Sequence, residues 1–156
     1  TKTPTALILS RQNINDLPAA SGNRYQEALG AERGGYVVVK DENPDVVLVG
    51  NGSEVATLVA AAAIVKEKGV KAQIVSVPSI GLFLEQDTEY RNEVIPANLP
   101  AFGLTAGLPS TLRRVVPTGE IFGLDHFGAS ASYKVLDEKF GFTAENIAEK
   151  ILKFVN

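Results

Sequence analysis

The stretch V-G-N-G-S-E-V (residues 49–55) places two glycines, a serine and a glutamate where an apolar run gives way to a helical pattern. Gly50 and Gly52 permit tight backbone geometry, and amides at a helix start point outward beside the positive end of the helix dipole. Such a turn could dock an anion, which makes Gly52 and Ser53 a possible anion site. The dinucleotide fingerprint G-x-G-x-x-G is not completed, because Val55 stands where the third glycine belongs. There is no Walker lysine, and Glu54 beside the turn would repel a phosphate. A glycine turn with Ser53 as helix N-cap is the plainer reading, and it outweighs the anion site.

Arg11 follows directly on an apolar run in S-R-Q-N (residues 10–13). Ligands of parallel sheets gather at the carboxyl ends of strands, where a guanidinium grips a phosphate with two parallel bonds. From the residues alone, an exposed arginine at the start of a linker is favoured. His126, the one histidine, lies past a strand end in L-D-H-F-G (residues 124–128). Its ordinary pKa near ~6.5 suits a general base, but only Asp125 is at hand to orient it, so a loop or packing role is the stronger reading. Glu85, Asp87, Glu89 and Glu93 alternate with Arg91 as on a solvated helix face. Arg113 and Arg114 read as an exposed helix face, and the alanines 60–63 as close helix–sheet packing. No nucleophile with a base, no metal constellation and no complete cofactor cradle emerges, so the catalytic and metal residues expected of this chain are none.

These residues must be held by elements whose patterns are legible. Residues 5–10 form a short apolar run that reads as a buried strand, and 11–35 lose periodicity and read as a linker. Residues 36–40 and 45–49 are β-branched runs separated by a short turn, which predicts a hairpin-like pair. A helix is expected from Ser53 to about Lys68, with Val55, Leu58, Val59, Ala62 and Val65 facing a sheet and Gly69 closing it. Further strands are expected at 72–77, 100–105 and 120–124. Further helices are expected at 87–95, at 110–116 with Ser110 as cap, at 129–140, and at 144–155 with Thr143 as cap. Strands alternating with helices predict an α/β fold of three layers, α/β/α. Its five-stranded sheet would be mostly parallel, with one antiparallel edge strand.

A chain of 156 residues fits one domain. The net charge of −3, with no basic stripe, argues against a nucleic-acid partner. No apolar run reaches the ~18 residues of a membrane span. Without cysteine, disulfides and thiol chemistry are excluded, and a cytoplasmic location is expected. No charged segment followed by an apolar stretch opens the chain, so no signal peptide is expected. The Thr start and the lack of methionine hint at a piece of a larger enzyme.

Six blocks stand in order along the chain: A-L-I-L-S-R-Q-N (6–13), G-G-Y-V-V (34–38), V-G-N-G-S-E-V (49–55), V-S-V-P-S (75–79), D-H-F-G-A-S-A-S (125–132) and F-G-F-T-A-E-N-I (140–147). Together they resemble the C-terminal part of transketolase, over essentially the whole chain. Departures are Thr105, where the family commonly has an acidic residue, Leu112, near which it has an aromatic, and Ser132, where it tends to have proline. The resemblance implies a homodimeric transferase that moves a two-carbon ketol unit between sugar phosphates with thiamine diphosphate and a divalent metal, Mg2+ or Ca2+. Those cofactors would be bound by domains absent from this chain, which would be inactive by itself. Residues 1–35 would end the pyrimidine-binding domain and its linker, and 36–156 would form the C-terminal domain. Arg11 would then bind the sugar phosphate, reversing the reading from the residues alone. A standalone or split-subunit module binding an anion or nucleotide is the alternative.

Overall fold

A computed structural model describes residues 4, 6–10, 12–19 and 21–156. Among the described residues, five strands form one mixed sheet in the order β1-β3-β2-β4-β5. They are β1 (Tyr36–Lys40), β2 (Val46–Gly50), β3 (Ala72–Ser76), β4 (Ala101–Leu104) and β5 (Glu120–Phe122). The strands β3, β2, β4 and β5 run parallel, and β1 is the antiparallel edge. Helices α1 (Arg24–Ala28), α2 (Glu54–Glu67), α3 (Ile80–Leu84), α4 (Thr88–Val94), α5 (Tyr133–Phe140) and α6 (Ala144–Val155) complete the fold.

Each parallel strand is buried on both sides, so alternate residues feed two separate cores. Val46, Leu48, Ile74, Phe102 and Leu104 pack against α2 and α6, whose Leu58, Ala61, Val65, Ile147, Ala148 and Ile151 are buried. Val47, Val49 and Val75 face the other way, toward Phe83 of α3, Val94 of α4, and Leu112, Val115 and Val116. The alanine run lets α2 lie close to both sheet and α6, as its composition suggests. Three layers follow directly.

The expected hairpin between the first two strands does not form. Instead β1 pairs with β3, with Tyr36 opposite Ser76 and Lys40 opposite Gln73. The physical reason is burial: Val46–Val49 are fully inaccessible, and such a strand gains most in the centre, between β3 and β4. The half-exposed β1 suits an edge. The connection crosses the end of β3 instead of folding back, with Asp41 N–H bonded to the Ala72 carbonyl at 3.0 Å and Asp45 N–H to that of Lys71 at 2.9 Å. The Asp41 carboxylate also accepts from Ala72 N–H and from Lys66 of α2. That lysine bond is the main cause holding the Asp41 pKa below its usual value.

Other expectations shift for local reasons. Residues 6–10 form no strand and pair with none of the five; Leu7, Ile8 and Leu9 stand 76–92% exposed. Within the expected linker, residues 24–33 are helical, and Arg24 and Arg33 lie over the rings of Tyr36 and Tyr90. The helix expected at 110–116 is a short 3-10 turn at Pro109–Thr111 that contains Ser110 and has no side-chain cap, followed by turns. α5 begins at Tyr133 instead of 129; the alternating Ala-Ser segment before it is not helical, since serine hydroxyls compete with helical hydrogen bonds. Helix α3 lies in a segment that carried no helical expectation; Ser79 caps it by accepting from Leu82 N–H at 3.5 Å. Thr143 caps α6 as expected.

Gly34 joins the first helical turns to β1 at φ 86°, and a Cβ there would sit 2.3 Å from the Phe83 backbone nitrogen. The left-handed conformation and the overlap act together, so Gly34→Ala should cost roughly 2 kcal/mol or more. Urea unfolding measures this, and a loss below about 0.5 kcal/mol would show that the 34–83 contact yields freely.

Candidate functional site

The chain leaves β2 toward α2, on the Leu48 face, and leaves β4 toward Leu112, on the opposite face. Adjacent parallel strands whose connections depart to opposite sides open a crevice at their carboxyl ends, the usual ligand position in such sheets. Here Gly50 ends β2 and Leu104 ends β4. Glu54, the first residue of α2, occupies this crevice.

Glu54 is half-buried. Its carboxylate accepts from Ser53 Oγ at 2.7 Å and from the backbone N–H groups of Glu54 itself and of Ala106, beyond β4. It thus bridges the two diverging loops. Burial is the largest influence and raises its pKa; these three hydrogen bonds oppose the rise, and Asp137 adds to it. Asp137 on α5 is also raised by burial. Tyr133 lies one turn before Asp137, so both project from one side of α5. They line, with Glu54, two adjoining clefts of about 220 and 210 Å3.

Gly52 and Ser53 sit at this crevice, but their turn is differently used than the N-cap reading expects. Ser53 is already helical, and its hydroxyl donates to Glu54 instead of accepting from a helix amide. The Glu54 carboxylate therefore takes the place at the helix start that an external anion would need. Arg11 lies outside the described residues. Its neighbour Gln12 lines both clefts beside Ser53 and Glu54. His126 is exposed; its Nδ1 lies 2.9 Å from the Phe127 carbonyl, and its ring meets that of Phe140 edge-on, which is the packing role.

Two charged groups depart from a solvated-face reading. Asp87 caps α4 by accepting from Tyr90 N–H at 2.8 Å. Arg113 Nη1 donates to the carbonyls of Val116, Pro117 and Gly119, bracing the loop into β5. The crevice residues missing from the sequence reading are Tyr133, Asp137 and Gln12. The i, i+4 spacing of Tyr133 and Asp137 within an expected helix was the available signal; nothing in the sequence tied them to Glu54. The two carboxylates of the set accept hydrogen bonds and positive charge, and the Ser53 hydroxyl is committed to Glu54.

A raised carboxyl pKa means that the folded state binds more protons, so Glu54 lowers stability as pH climbs through 4.5 toward its folded value. Relative to the parent, Glu54→Gln should therefore gain stability as pH is raised from about 4 to about 7. Urea unfolding of both proteins across that range tests the sign; a difference moving the other way would mean that the hydrogen bonds, and not burial, dominate at Glu54.

Comparison with known proteins adds the identity of the scaffold. The family model for the transketolase-like TK C-terminal domain matches residues 34–143. Transketolase 1 of Candida albicans is 41% identical over 155 residues, covering 99% of this chain and 22% of that protein. The structure of transketolase from Leishmania mexicana superposes with a TM-score of 0.80 at 30% identity, over 93% of this chain and 20% of that one. Transketolase from Pichia stipitis in complex with sedoheptulose-7-phosphate superposes with a TM-score of 0.77 at 32% identity, over 81% of this chain and 18% of that one. The chain thus spans about a fifth of the length of the relatives it matches. With the doubly wound sheet, the antiparallel edge and the family match agreeing, the chain belongs to the transketolase family and corresponds to its C-terminal domain.

Proposed function

We propose that this chain works as the C-terminal part of a transketolase, a thiamine-diphosphate-dependent enzyme that transfers a two-carbon ketol unit between sugar phosphates. The observation that carries this reading is the match over 99% of the chain to a transketolase at 41% identity. In this reading residues 1–35 end the pyrimidine-binding domain and its linker, and 36–156 are the terminal domain, with the 24–33 helices lying across it. The exposed Leu7, Ile8 and Leu9 support that division, because apolar side chains in series belong against another surface. The whole protein is a cytoplasmic homodimer in this reading.

The described residues of this chain do not fit thiamine diphosphate or its metal. Among the described residues no three His, Cys, Asp or Glu side chains cluster to hold an ion, and the glycine turn's helix start is filled by Glu54. We assign both groups, Mg2+ or Ca2+ included, to the parts of the protein outside this chain. What this chain contributes is Arg11, carried on the segment whose next residue lines the crevice. A guanidinium there would grip the phosphate of a sugar substrate bidentately. The Pichia stipitis relative bound to sedoheptulose-7-phosphate supports a phosphorylated sugar as the ligand class.

In the intact enzyme, Arg11→Ala should remove a charged hydrogen bond worth about 1.5–3 kcal/mol, a roughly ten- to hundred-fold rise in KM for phosphorylated substrates. Steady-state kinetics with phosphorylated and unphosphorylated donors measures it. Unchanged KM for every phosphorylated substrate would remove Arg11 from the phosphate site.

A further inference from the structure

A cavity of about 400 Å3 lies at the other end of the sheet, by the amino end of β4. Its walls are α4 on one side and residues 114–119 on the other. Phe83, Ile95, Leu99, Val115 and Val116 supply an apolar floor, and the cationic groups are Arg91 and Arg114. None of the lining residues is acidic. Arg91 Nη2 reaches only Thr88 Oγ1, at 3.3 Å, and its Nε is buried without a hydrogen-bond partner. A buried donor of a charged group left unpaired costs free energy and calls for an acceptor.

Both walls are held in place without a ligand. Gln73, fully buried on β3, donates to the Val94 carbonyl at the end of α4 at 2.8 Å. Tyr90 of α4 donates to the Gly35 carbonyl at 2.8 Å. Opposite, Arg113 gathers three carbonyls of its own loop. The cavity is thus preformed and of a size that takes small molecules.

The geometry points to a binding site for a small organic carboxylate with an apolar, aryl or branched-alkyl body. The guanidiniums of Arg91 and Arg114 receive the carboxylate, for which the planar fork of arginine is suited, and the floor from Phe83 to Val116 covers the body. A bare inorganic anion would leave that floor wet. A neutral apolar molecule would leave two cations unanswered.

The test is a two-dimensional amide NMR titration of the full 156-residue chain with 4-phenylbutyrate, 4-phenylbutanol and inorganic phosphate. The expected result is saturable shifts with 4-phenylbutyrate, confined to residues 83–101 and 112–121. Arg114→Gln, at an exposed position that leaves the fold intact, should weaken the affinity about tenfold, and Arg91→Gln at least as much. No localised shifts with 4-phenylbutyrate would overturn the site. Equal binding of 4-phenylbutanol would overturn the role of the arginines, and equal binding of phosphate would overturn that of the floor. Unchanged affinity in the folded Arg114→Gln protein would remove that side chain from it.

Discussion

Burial of β2 on both faces is the constraint from which the rest of the molecule is arranged. Val46, Val47, Leu48 and Val49 have no accessible surface, and each such side chain is worth about 1.5–3 kcal/mol out of water. Neither a single sheet face nor an edge position could achieve that. Two helical layers are therefore required, and parallel neighbours on either side exclude a hairpin partner. Gly50 shows how tightly the end of the strand is then sealed, since a Cβ there would lie 2.8 Å from Leu58 Cδ1.

That same strand sets the electrostatics at its two ends. Where β2 and β4 finish, the chain departs in opposite directions, and Glu54 fills the opening by joining Ser53 to Ala106. A carboxylate at the start of a helix also complements the helix dipole, which offsets part of its desolvation. At the amino end the polarity is reversed, with Arg91 and Arg114 above an apolar floor. The two ends of the sheet therefore differ in charge, with a carboxylate at one and guanidiniums at the other.

Patterns that depend on immediate neighbours were legible in the sequence. The α/β class, the long α2 with its closing glycine, the Thr143 cap and all five strands of the sheet could be read from periodicity and turn residues. The pairing of β1 was not, because the short 41–45 turn argues for a hairpin while burial of β2, a property of the whole sheet, decides otherwise. Residues 6–10 look like a buried strand by composition, yet among the described residues they pair with no strand. At the crevice, Gly52 and Ser53 were visible as a turn. The role of Glu54 was not, since it depends on Ala106 and Asp137, each more than fifty residues away in sequence. Arg11 gained its meaning from the six blocks of family resemblance; its own surroundings lie outside the described residues.

The margins of the sheet bear on how the protein can assemble. β5 has three residues and begins with Glu120, while β1 changes register between Val37 and Val39 and ends on Lys40. Short length, irregular register and charge each make a strand a poor template for another backbone. Neither border can readily be prolonged into a continuous intermolecular sheet. Surfaces formed by the side chains of helices and loops are left as the better contact faces, and there specificity can be changed residue by residue without disturbing the backbone ladder.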